Sequence, residues 1–206
     1  MKREKRIILV ARVISMLFTP FYLPVVGLIV LFSFSYLSIF PLLYKLQVLI
    51  LAYFFTILLP NVLIHLYRHY QGWNLIESGH RERRMIPYIV SILCYFTCIY
   101  VMEQLHMPHF MGSIVIAALV VQIVCALINV WWKISTHTAA IGGVGGALFA
   151  FAEYLNFNPV WWLCLIFFIA GLVGTSRMLL RQHSLSQVVA GFWVGFFCAA
   201  VAILFI

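Results

Sequence analysis

Acidic side chains are nearly missing from this chain of 206 residues: it has five, all glutamate, against thirteen lysines and arginines. Only 9% of the residues are charged and 65% are hydrophobic, with a mean hydropathy of +1.08, whereas a soluble domain is about a quarter charged. A water-soluble surface cannot be built from that composition. A pathway of buried carboxylates has little to draw on, because Glu103 and Glu153 stand at the ends of apolar runs. Cys94, Cys98, Cys125, Cys164 and Cys198 lie scattered inside apolar runs without CxxC spacing, which argues for packing and against zinc or disulfides. Period-2 alternation is also missing, which counts against a β-barrel. Linkers, low-complexity stretches and convincing repeats are not found, so a single domain over 1–206 is expected.

Long apolar runs are what the chain has instead: Ile7 to Leu43, Leu46 to Tyr67, Ile86 to Leu105, Met111 to Trp132, Thr138 to Leu155, Pro159 to Leu180 and Leu185 to Ile206. A helix rising about 1.5 Å per residue needs about twenty residues to cross about 30 Å of hydrocarbon. An open sheet would leave backbone groups unpaired in lipid, so helices are the default. The expected fold is an all-α polytopic transmembrane bundle of six to seven spans. The first run is broken by Pro20, Pro24 and Pro41 and either crosses once or enters as a hairpin. It is too long for the apolar core of a cleaved signal and contains Arg12, so the N-terminus is expected to be retained.

Alternating the crossings puts the polar segments Arg68 to Arg84, Lys133 to His137 and Arg181 to His183 on one face, here face A. Face B receives Ser38 to Lys45, Glu103 to Phe110 and Glu153 to Asn158, which together hold one lysine or arginine. An anion would therefore bind at face A. The net charge of +8 suits anionic lipid head groups and topology better than nucleic acid, which is not expected as a partner. Lys2, Arg3, Lys5 and Arg6 predict a cytoplasmic start. With one crossing in the first run face A is cytoplasmic as well; with two it faces outside.

Gly142, Gly143, Gly145 and Gly146 superficially resemble a phosphate-cradling loop, but inside a span such glycines let two helices approach closely. Gly191 and Gly195 form a GxxxG with the same meaning. Trp131, Trp132, Trp161, Trp162, Tyr67 and Tyr70 near run ends fit interfacial belts. His65 and His69 have metal-like spacing but end a span without a third ligand nearby, and His106 and His109 lie on face B. No metal and no cofactor are expected.

The segment Gly174 to Gln187, just before the last span, reads SRxxxxxHxxxQ. A guanidinium offers a planar fork of donors to phosphate oxygens, and a histidine nearby can present an imidazole nitrogen to phosphorus. Arg177 and His183 could also be ordinary interface anchors. A second segment on the same face, Trp132 to Thr138, adds Lys133, Ser135 and His137 at the start of a span. The exposed amides and positive dipole end of that helix favour an anion.

Ser176-Arg177 to His183 resembles the third motif, SRxxxxxHxxxD, of the PAP2 (type 2 phosphatidic acid phosphatase) superfamily. Ile134 to His137 is similar to its second motif, PSGH, and Arg81 to Pro87 more loosely to its first, KxxxxxxRP. The resemblance covers about the C-terminal 125 residues. It implies a PAP2-like helical core and a metal-independent lipid phosphatase. His183 would be the nucleophile, His137 the acid and then the base, and Arg177, Ser135 and Arg84 the phosphate ligands. Lys133 and Arg81 join the phosphate set by location and charge. The implied substrate is a lipid phosphate or diphosphate, of polyprenyl, glycerophospholipid or lipid A type, and the implied location is the bacterial cytoplasmic membrane.

Three departures from the family pattern bear on this. Gln187 stands where the family has an aspartate that orients and supports the nucleophilic histidine; an amide accepts the same hydrogen bond without compensating positive charge. Thr136 replaces a glycine, and two apolar runs separate the first and second segments. A lipid phosphotransferase, or a non-catalytic lipid-phosphate binder or transporter, would use the same groups.

Overall fold

In a computed structural model the described residues are 2–34, 36–70 and 81–205, with the side chains at 2–5, 34, 36–37 and 81–84 outside the description. The chain forms α1 (Lys2–Leu17), α2 (Leu23–Phe34), α3 (Leu42–Tyr53), α4 (Leu59–Tyr70), α5 (Arg81–Gln104), α6 (His109–Trp131), α7 (Thr136–Leu155), α8 (Val160–Leu179) and α9 (Leu185–Leu204). Among the described residues six stretches are long and apolar enough to cross a membrane, including Leu42–Tyr70 and Met85–Gln104; Leu23–Ser33 is a shorter apolar helix. The all-α polytopic bundle is thus what forms, and the protein is an integral membrane protein.

Two breaks in the long runs have local causes. α3 and α4 make one continuous rod whose middle, Phe54–Leu58, widens into a π turn. Pro60 lacks the N–H that would close the normal bond to the carbonyl one turn back. Asn61 Nδ2 also donates to the Ile57 carbonyl, at 2.8 Å, in the same turn. In the first run, the proline-containing stretch between Leu17 and Leu23 separates α1 from α2. Ser15 meets Arg177 near the end of α8. Leu28, Leu31 and Phe32 share a buried cluster with Met102 and Met111, at the opposite ends of α5 and α6. The chain between Ser15 and Phe32 therefore passes through the bundle once, and does not turn back as a hairpin.

The tightest packing joins α7 to α9. A Cβ added at Gly142 or Gly146 would run into the carbonyls of Phe192 and Phe196, and one added at Gly195 into that of Ala139. Nothing separates the two backbones, which is the packing role expected of these glycines. Val121 and Cys125 of α6 close over this seam with Ala139, Ala150 and Ala199. Ile166 and Val173 of α8 cover Ile141 and Phe192 on another side. The outward faces carry Ile50, Phe96 and Phe168, each about two-thirds exposed, as lipid allows and water does not. Trp131, Trp161 and Tyr70, all more than 80% exposed, stand at helix ends where head groups would lie.

Gly195→Val should weaken the fold by about 3 kcal/mol or more, because the obstruction is backbone and cannot rotate away. Gly112→Ala is the control: its added methyl meets nothing within 4 Å, so it should be neutral or stabilising by about 1 kcal/mol. Thermal unfolding of the two variants in detergent compares them directly.

Candidate functional site at the starts of α7 and α9

α8 ends in a tight reversal. The N–H of Arg181 donates to Met178 at 2.9 Å and that of Gln182 to Arg177 at 3.1 Å, the two bonds of a Schellman closure. Arg181 takes φ 54°, the left-handed position usually given to glycine, at a cost of about 1 kcal/mol. This reversal delivers His183 to the end of the bundle where α9 begins.

α9 begins with a capping box. Ser184 Oγ accepts from the Gln187 N–H at 3.5 Å, and Gln187 Oε1 accepts from the Ser184 N–H at 3.1 Å. The same Oε1 lies 3.2 Å from His183 Nδ1. Because that oxygen is an acceptor, Nδ1 must carry the proton, which leaves the lone pair on Nε2. Gln187 therefore orients His183 as the sequence suggested, while also capping the helix.

The start of α7 is tied to the start of α9 by one backbone bond, Ser135 N–H to Gln187 O at 3.3 Å. Ser135 is wholly buried and is the N-cap, accepting from the Thr138 N–H at 3.5 Å, while Thr138 Oγ1 donates to the Ser135 carbonyl at 3.1 Å. Its hydroxyl oxygen is the acceptor in this cap, a role that does not use its own O–H. His137 follows on the first turn and Lys133 precedes it, exposed.

Arg177, half-buried, donates from Nη1 to Ser15 Oγ at 2.8 Å, and the Ser15 backbone faces His137. Ser15 is 6% exposed and belongs to α1. Sequence reasoning missed it: a lone serine among Val13, Ile14 and Met16 carries no local signal. Among the described residues, His137 Nδ1 and Arg177 Nε are buried without a hydrogen-bond partner.

The electrostatics are one-sided. His137 lies within electrostatic reach of Arg177 and His183, and His183 within reach of Arg177 and Lys133. Burial, then Arg177, then Lys133 push the His183 imidazole down to about 4, against a smaller opposing pull from Gln187. At neutral pH His183 is uncharged. Glu103 and Glu153 sit near the far ends of α5 and α7, as do His106 and His109 near the α5–α6 turn. Among the described residues no three His, Cys, Asp or Glu side chains gather as metal ligands would. Arg81 and Arg84 fall in the first turn of α5, but their side chains lie outside the described residues. Of the expected site residues, then, His183, Gln187, His137, Arg177, Ser135 and Lys133 come together at one end of the bundle.

The PAP2 superfamily model matches residues 129–206, from the last turns of α6 through α9. The resemblance read from SRxxxxxH is thereby shown for this segment, which contains all six of these residues. The segment Arg81 to Pro87 lies outside the match. No curated protein and no solved structure matches the chain.

Gln187→Asp places a carboxylate beside Nδ1 and favours the imidazolium, so the His183 pKa should rise by about one to three pH units. The protonated fraction then appears at higher pH than in the unaltered protein. Histidine-labelled NMR titration in micelles follows the change; an unmoved His183 signal would contradict the orienting role of residue 187.

Proposed function

We propose that this protein is a membrane phosphatase of PAP2 type that hydrolyses a lipid phosphate or diphosphate without a metal. Family membership of 129–206 suggests phosphatase activity. The observation that carries the finer reading is the His183–Gln187 geometry, with Nδ1 held and Nε2 left free, beside a partly buried guanidinium and a second histidine.

In this mechanism the head group enters at face A, and Arg177 exchanges Ser15 Oγ for phosphate oxygens, with Lys133 adding charge. Ser135, through its O–H, and the amide end of α7 add contacts to the phosphate. Arg81 and Arg84 remain candidates for the outer side of the anion. His183 Nε2 attacks phosphorus, forming a nitrogen–phosphorus bond as the bond to the leaving oxygen breaks. His137 gives its proton to that oxygen. Water then attacks the phosphohistidine, passing a proton to His137; inorganic phosphate leaves and His183 is regenerated. Such chemistry needs positioning and charge stabilisation above all. Gln187 supplies orientation but no negative charge for the imidazolium that develops, which predicts slower turnover than a carboxylate would support. Polyprenyl, glycerophospholipid and lipid A phosphates all present the required group.

Residues 1–206 function as one unit in this reading, within a bacterial cytoplasmic membrane. Because the first run passes through the bundle once, the basic N-terminus supports a cytoplasmic position for face A.

His183→Ala should lower phosphate release from a panel of lipid phosphates by at least about a thousandfold while leaving binding in place. Gln187→Asp should hold or raise the rate. Normal turnover by His183→Ala removes the nucleophile assignment, and no release from any lipid by the unaltered protein removes the enzyme reading in favour of a binder. For sidedness, Gln182→Cys in a background without native cysteines should resist an impermeant thiol reagent in intact cells and react in inverted vesicles. The opposite pattern would place face A outside.

A further inference from the structure

Ala11 and Ser15, one turn apart on α1, are 2% and 6% exposed, and Ile14 beside them packs with Val173 and Ile166 of α8. This contact lays Ser15 Oγ 2.8 Å from Arg177 Nη1, 162 positions away in the chain, with the Ser15 backbone toward His137. Ser15 therefore stands in the angle between the guanidinium and the second histidine. Its hydroxyl is used differently from others inside the bundle. Thr56, Thr97 and Ser176 give their O–H to a carbonyl of their own helix, at 2.7, 2.8 and 2.7 Å, the ordinary outlet for a hydroxyl within a helix. Among the described residues Ser15 Oγ makes one hydrogen bond, as acceptor from Arg177, so its own proton is unspent. On its two neighbours, Arg177 Nε and His137 Nδ1 are buried without partners as well.

A residue that holds Arg177 before substrate binds must accept a hydrogen bond, and one that holds phosphate must donate. A carboxylate does only the first and an ammonium only the second; a hydroxyl does both. We propose that Ser15 is a phosphate ligand supplied by α1. Before substrate binds, its oxygen accepts from Arg177. When that donor passes to a phosphate oxygen, the released hydroxyl turns and donates to the same phosphate group, on the side nearest His137. The exchange at Arg177 then costs little, because the hydrogen bond broken at Ser15 is replaced by another. The proposal rests on the phosphatase reading for the identity of the anion, and adds to it a substrate contact from outside residues 129–206. α1 is in this way part of the site as well as a cover over α8.

Ser15→Ala, Ser15→Thr and Ser15→Asp separate this role from a structural one. Binding of inorganic phosphate is followed through the His183 signal of histidine-labelled protein in micelles, beside kcat/KM on the panel of lipid phosphates and thermal unfolding. Ser15→Ala removes one hydrogen bond to a charged group and should weaken phosphate binding by about tenfold or more, with kcat/KM falling at least as far. Ser15→Thr keeps the O–H and should stay within about threefold of the unaltered protein. Ser15→Asp holds Arg177 as an ion pair but meets phosphate with negative charge, so it should bind phosphate more weakly than Ser15→Ala while unfolding at no lower temperature. A purely structural residue would make binding follow stability and so spare Ser15→Asp. Undiminished phosphate binding by folded Ser15→Ala overturns the proposal, and turnover by the unaltered protein then leaves the phosphatase reading in place. If Ser15→Ala does not fold, undiminished binding by Ser15→Asp overturns it equally, whereas retention by Ser15→Thr with loss by Ser15→Asp supports it. Phosphate binding that depends on Ser15, with no release from any lipid, supports the ligand and removes the phosphatase reading alone.

Discussion

The contact between the backbones of α7 and α9 is the constraint on which the site depends. In lipid, helices gain nothing by hiding apolar side chains from a solvent that is itself apolar, so close backbone approach and its dispersion energy decide association. Gly142, Gly146 and Gly195 permit that approach because each meets a carbonyl of the opposite helix. The same approach brings the two helix starts close enough for the Ser135 N–H to reach Gln187 O. His137 and His183 sit beside those two starts, so a packing device in the membrane interior sets the separation of the two histidines at its edge.

Among the described residues, the charges around this frame are all of one sign. Arg177 is partly buried, no described carboxylate receives it, and Ser15 offers only a neutral hydroxyl. His183 gives up its proton instead, under pressure from burial, Arg177 and Lys133. An anion placed here would gain from the guanidinium, the ammonium and the end of the α7 dipole together. Gln187 fits the same pattern: as an amide it holds the imidazole by hydrogen bonding and leaves the positive field undiminished. The His183 imidazole is thus kept neutral by its surroundings, with its geometry supplied by a helix cap.

The chain upstream of the matched segment has a separable role. α1 brings Ser15 to Arg177, and α2, set off by Pro20 and Pro24, walls the space under His137. The π turn before Pro60 is a local adjustment of another kind, with no part in the site.

Spans, faces and the pairing of His183 with Gln187 were legible in the sequence because they follow from local quantities: hydrophobic length against bilayer thickness, alternation of crossings, and residues a few positions apart on one helix start. The glycines could likewise be read as packing residues, since small side chains inside a span have few other uses. Which carbonyl each glycine meets, the tie from Ser135 to Gln187, the engagement of the Ser135 hydroxyl in its own cap, the single passage of the first run and the presence of Ser15 at Arg177 were decided only by tertiary structure. Each depends on groups from distant parts of the chain meeting in space, or on the local geometry of a helix start. A side chain's neighbours across a bundle are set by helix rotation and tilt, and those belong to the packed assembly rather than to any stretch of sequence.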